Sequence, residues 1–122
     1  MSTFSYPIAI AATLEGPFQR IEAVVDTGAF YAWVPGSALK RLGLEPSGRP
    51  RFVLADGSRI DRDITDVAMR INGETRYAIG VFGDEGTQPL LGAVALEQFA
   101  LAVDPVNKRL VPIPELPLLE IG

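Results

Sequence analysis

Turn signals constrain this chain more than any other feature. Asp56-Gly57 and Asn72-Gly73 each separate two apolar, β-branched runs, the pattern of a two-residue hairpin. Glu15-Gly16-Pro17 and Pro105-Val106-Asn107-Lys108 interrupt the chain again. The pieces between these breaks suit short strands, and an all-β domain with frequent turns follows. Strands are expected over 5–14, 20–25, 30–34, 51–55, 59–64, 66–71, 75–82, 101–104 and 109–113. In 66–71, Val67, Met69 and Ile71 alternate as in a half-buried strand. Two segments have helical spacing instead. In 36–42, Ser37 suits an N-cap, Leu39 and Leu42 share a face, and Gly43 stops the helix. In 94–100, Ala95 and Phe99 lie one turn apart.

Composition then limits the chemistry. With 122 residues the chain, 1–122, makes one domain, and 48 % hydrophobic residues supply a core without staples. Cysteine and histidine are both absent, which excludes disulfides, thiol nucleophiles, Ser-His pairs and the usual zinc sites. A carboxylate is the general base that remains. The net charge is −4, and the densest basic stretch, 49–62, is interleaved with Asp56 and Asp61, so no nucleic-acid partner is expected. No uncharged run approaches the roughly 20 residues of a membrane span, and no membrane partner is expected. The N-terminus lacks a basic leader with a cleavage site, so a cytoplasmic location is expected. Asp61, Asp63 and Asp66 lack the glycine-containing loop of a calcium site and read as a solvated strand face. No metal and no cofactor are implied.

One segment concentrates reactive groups. The apolar run Ala23-Val24-Val25 ends in Asp26-Thr27-Gly28-Ala29. A strand that stops at an acid sets the carboxylate on a rigid base. Thr27 can donate and accept a hydrogen bond, and Gly28 permits a tight turn with close backbone approach. The tripeptide alone also suits an Asp that caps local backbone amides.

The wider context resembles the retropepsin-like aspartic proteases, the single-domain clan that includes the retroviral enzymes. Four features match in order: the loop Asp26-Thr27-Gly28-Ala29, then Trp33-Val34-Pro35 with a short helix ending in Leu42-Gly43-Leu44, then the hairpin Leu54-Ala55-Asp56-Gly57-Ser58, then Pro89-Leu90-Leu91-Gly92 before a helix. The likeness spans 5–113. It implies an all-β acid-protease half-barrel with one or two short helices, working as a two-fold homodimer. It also implies a peptide or protein substrate and an endopeptidase activity. Asp26 of each protomer would be catalytic, with Thr27, Gly28 and Ala29 supporting the loop. Ala55, Asp56, Gly57, Ser58 and Arg59 would form a flap over the substrate. Leu90, Leu91 and Gly92 would be the structural signature. Two carboxylates about 3 Å apart share one proton, so one could activate water while its partner supports the oxyanion.

The remaining residues have plainer readings. Trp33 is expected in the core, whereas Phe30 and Tyr31 suit a cleft wall as well as packing. Asp84-Glu85-Gly86 reads as a polar turn and Asp104-Pro105 as a strand end. Arg109 is expected to pair with an acid near the dimer axis. The apolar residues of the tail, 114–122, suit a dimer contact, although Pro112, Pro114 and Pro117 limit regular pairing. Two other functions fit the same residues: a module that binds an extended peptide without cutting it, and a structural interaction protein of the toxin–antitoxin kind.

Overall fold

The computed structural model describes residues 3–115. The expected contact segment therefore lies outside the described residues from 116 onward. Among the described residues the punctuation produces ten strands and two helices. In chain order they are β1 (Phe4–Ala11), β2 (Gln19–Val25), β3 (Ala32–Pro35), α1 (Gly36–Arg41), β4 (Arg51–Val53), β5 (Arg59–Asp61), β6 (Ile64–Ile71), β7 (Glu74–Gly83), β8 (Leu90–Leu91), α2 (Ala93–Gln98), β9 (Leu101–Asp104) and β10 (Arg109–Pro112).

Six strands close into a barrel in the order β1-β2-β8-β3-β7-β6, with β1 pairing back onto β6. The hairpins β4-β5 and β9-β10 are separate two-stranded sheets. Alternation along β1 and β2 puts Ile8, Ile10, Ala23 and Val25 inside. They meet Val34, Leu39, Met69, Ile71 and Leu91 in one contiguous core. Asn72 and Gly73 both have positive φ, 51° and 83°, which suits the turn between β6 and β7.

Helix α1 ends as its sequence implies. Gly43, at φ 89°, donates its N–H to the Lys40 carbonyl, and Leu44 donates to Leu39, which is a Schellman close. Its start differs from expectation. Pro35 occupies the N-cap position, and Ser37 lies inside the first turn. The Ser37 N–H donates to Glu85 Oε2 at 3.0 Å, and its hydroxyl donates to Glu85 Oε1. An acid distant in sequence thus satisfies the helix start, because proline cannot offer a side-chain acceptor. The segment Asp84-Glu85-Gly86 is accordingly a tie between α1 and the loop after β7, not only a polar turn. These bonds to Ser37 hold the Glu85 carboxyl below its ordinary range.

Candidate active site

Asp26 is the first residue after β2, and its backbone is clamped by β8. Strand β8 runs parallel to β2, pairing Val24 with Leu90 and Val25 with Leu91, and meets β3 at Trp33. The two-residue strand therefore fills the gap between the strands on either side of the Asp26 loop. The Asp26 N–H donates to the Leu91 carbonyl at 3.0 Å. Downstream, the Ala93 and Val94 N–H groups donate to the Ala29 and Phe30 carbonyls at 2.9 and 3.0 Å. The amides that open α2 would otherwise lack partners, and the loop uses them. Gly92 makes this approach possible, because it packs directly on the loop's carbonyl oxygens. The expected elements Leu90, Leu91 and Gly92 are thus brought against Asp26, Thr27, Gly28 and Ala29.

The carboxylate is anchored on one side. Gly28 donates its N–H to Asp26 Oδ1 at 2.9 Å, and the Ala29 N–H donates to the Asp26 carbonyl at 3.1 Å. The capping role is present in that Oδ1 accepts a local amide, while Oδ2 has no protein partner among the described residues. Asp26 is half-buried, and Thr27 and Gly28 are exposed.

Asp26 borders two cavities. One, of about 440 Å³, is walled by Phe30, Trp33 and Leu90 and roofed by Phe52, Val53, Leu54 and Ala55 of the hairpin. The other, of about 360 Å³, is bounded by Phe4, Val25, Thr27, Val103 and Pro105. Of the expected flap residues, Ala55 reaches the first cavity. Asp56, Gly57, Ser58 and Arg59 form the exposed tip. There Gly57 takes φ 85°, and Ser58 donates to Asp56 Oδ1 through both its N–H, at 2.9 Å, and its hydroxyl, at 2.6 Å. Those bonds hold the Asp56 carboxyl below its ordinary range.

Trp33, Phe52, Val53 and Leu54 line the cleft without having been assigned to it from the sequence. Trp33 is not a core residue: Ala32 and Val34 point inward, and alternation turns Trp33 to the cavity. That parity was readable from the strand itself. Phe52 and Leu54 carried no comparable signal, since their position depends on how the hairpin folds over the barrel. The rings of Tyr31 and Trp33 hold Phe52 from below, at centroid distances of 6.1 and 5.6 Å.

Several charged residues outside the cleft form ion pairs with one another. Arg51 meets Asp61 across the hairpin at 3.0 Å, and Arg49 meets Asp63 at 3.0 Å. Arg109 pairs with Asp104 of its own hairpin at 3.3 Å, rather than with the expected acid near the dimer axis. Asp104 also accepts from the Val106 and Asn107 N–H groups and from the Asn107 side chain. The Asn107 bonds first, and Arg109 after them, hold its carboxyl below the ordinary value. No helix among the described residues is long and apolar enough to cross a membrane.

No family model and no curated protein matches the chain. Solved structures do match. The retroviral protease-like domain of Ddi1 from Leishmania major superposes with a TM-score of 0.62 at 18 % identity, covering 99 % of each chain. The chain has the retropepsin-like fold. A retropepsin-like aspartic protease from Rickettsia conorii superposes with a TM-score of 0.56 at 24 % identity, over 84 % of this chain and 88 % of that one. The protease of a macaque simian foamy virus gives 0.57 at 17 %, over 77 % and 92 %. Within this fold, Gly28 and Ala29 of the Asp26 loop, Leu54 and Ala55 of the hairpin, and Leu90 line one cavity with Asp26.

Proposed function

We propose that the chain is an aspartic endopeptidase acting as a homodimer, with Asp26 of each protomer forming the catalytic pair. One observation carries this reading: a carboxylate clamped by backbone bonds on a rigid strand end, open to an apolar cleft under a hairpin. A lone carboxylate is a poor catalyst for amide hydrolysis. Two adjacent ones carry a single proton between them, so that one is base and the other acid. The ionised member takes a proton from a bound water, and that water attacks the scissile carbonyl. The protonated member donates to the developing oxyanion, and a proton then passes to the leaving nitrogen. Exposed Thr27 and the second cavity supply the surface on which a partner's loop would sit. The likeness to proteases of the same fold supports the reading.

The test is cleavage of a diverse peptide mixture from about pH 4 to 7, read by mass spectrometry, with Asp26→Asn in parallel. Cuts made by the native chain and missing from a folded, equally dimeric variant are expected. Specific activity should fall on dilution below the dimer constant. Intact dimers that cut nothing would leave a peptide-binding module as the function.

A further inference from the structure

This inference rests on the peptidase reading and concerns what holds the roof of its cleft in place. The hairpin β4-β5 shares no sheet with the barrel, so its angle over Asp26 is set where the two join. Residues 62–63 make that joint, between β5 and β6. Backbone bonds tie it on both sides. The Arg62 N–H donates to the Pro50 carbonyl at 3.3 Å, and the Ile64 N–H donates to the Gly48 carbonyl at 2.9 Å. The Phe82 N–H, from β7, donates to the Asp63 carbonyl at 2.9 Å.

Arg62 adds a side-chain tie. Its Nη2 donates to Asp84 Oδ2 at 3.2 Å, and its Nη1 donates to the Asp61 carbonyl at 3.3 Å. One planar guanidinium thus bridges the end of β5 and the loop after β7. This arginine differs from the others that form ion pairs among the described residues. Its side chain is 29 % exposed, whereas theirs are 49–74 % exposed. Its Nε is buried with no hydrogen-bond partner among the described residues. An orphaned buried donor lowers stability. A cation that served only solubility would sit in water without that cost, so the placement at the joint calls for another role.

Asp84 opens the segment that leads to the floor of the cleft. Its carbonyl accepts from the Thr87 hydroxyl at 2.6 Å. Its neighbour Glu85 is held by Ser37 of α1. The segment ends at Pro89, whose carbonyl accepts from the Val24 N–H at 2.8 Å, two residues before Asp26. Arg62 therefore fastens the roof to the stretch of chain that carries β8 onto the Asp26 strand.

We propose that Arg62 is a positioning residue, which through Asp84 holds the β4-β5 hairpin over the cleft that contains Asp26. A partly exposed ion pair shifts such an equilibrium by roughly two- to fivefold. The test compares Arg62→Met, which keeps the apolar stem and removes the charge, with Asp84→Ala and with the double variant. Each single change should raise KM for a cleaved peptide by that factor at unchanged kcat. The double variant should raise it no further, because both changes remove one contact. Amide exchange at Ile64 and Phe82, whose N–H groups bond at the joint, should quicken by the same factor, while the amides of β1 and β2 keep their native rates. Arg62→Lys keeps the charge without the fork and should fall between native chain and Arg62→Met. Unchanged KM, a fall in kcat alone, or single effects that multiply in the double variant would overturn the proposal. So would exchange that quickens as much in β1 and β2 as at the joint, the mark of a merely structural role. If no peptide is cut, the peptidase reading fails and exchange alone decides for Arg62. Faster exchange confined to the joint in both single variants would uphold the tie, and native exchange there would overturn it.

Discussion

A methyl group on Gly92 would lie 2.5 Å from the carbonyl oxygen of Tyr31, and 2.8 Å from those of Ala29 and Phe30. The obstacle is backbone on every side, so no side-chain rotation relieves it. Gly92→Ala should therefore push the Asp26 loop away from α2 and break the bonds from Ala93 and Val94. Forcing a group into packed structure costs about 1–3 kcal/mol. For a chain of this size that is a fall in Tm of roughly 5 °C or more, measurable by calorimetry. Cleavage should be lost even at temperatures where the variant stays folded. A variant with native Tm and native activity would show that the start of α2 does not hold the loop.

Much of this arrangement was legible, and the reasons for the rest are physical. Asp56-Gly57, Asn72-Gly73 and Gly43 fixed turns because each position needs a conformation few residues adopt. The loop at Asp26 stood out as an apolar strand ending in reactive groups. The insertion of β8 between β2 and β3 left no local trace. A two-residue strand has no periodicity, and its pairing is set by partners far away in sequence. The Ser37 and Glu85 contact was hidden for the same reason. Trp33 is different: the alternation Ala32-Trp33-Val34 already set it opposite the core, and the adjacent proline did not change that parity.

Phe52 seats the hairpin on Tyr31 and Trp33, and the hairpin shares no sheet with the barrel. Phe52→Ala should loosen this hairpin more than it destabilises the chain. Amide exchange at Leu54 and Gly57, whose N–H groups bond within the turn, should accelerate. Global stability should fall by less than the roughly 3–5 kcal/mol of a fully buried Phe. Catalytic efficiency should drop on the order of tenfold, mainly through KM, because the roof of the cleft is less often in place. Exchange that quickens equally in the hairpin and the barrel would contradict this division.

Ala100 closes α2 with φ at 52°, a left-handed position without the glycine that usually occupies it. Its N–H bonds to the Glu97 carbonyl, and its carbonyl accepts from Ile113, so the conformation is held from both sides. Ala100→Gly should relieve the strain and raise stability by about 0.5–1 kcal/mol, a gain of a few degrees in Tm. The cleft should be unaffected. A lower Tm would mean that the lost methyl contact outweighs the relieved backbone.

Asp104 ties the β9-β10 turn through four bonds, and the turn begins with Pro105, which borders the second cavity beside Asp26 and Thr27. Its carboxyl is held below the ordinary value of 3.8 by the Asn107 bonds first and Arg109 after them. A depressed value in the folded chain means that ionised Asp104 favours folding. That stabilisation is complete above about pH 5, begins to fade as the unfolded carboxyl takes up its proton, and is gone once pH has fallen through the depressed value. The bonds should therefore survive throughout the range in which a carboxylate pair would work. Asp104→Asn keeps the shape and removes the charge. The Tm difference between native chain and variant should stay constant from about pH 7 to 5 and shrink below about pH 4. A difference that widens toward acid would reverse the sign of this linkage and would mean that the neutral side chain, not the carboxylate, is what the turn prefers.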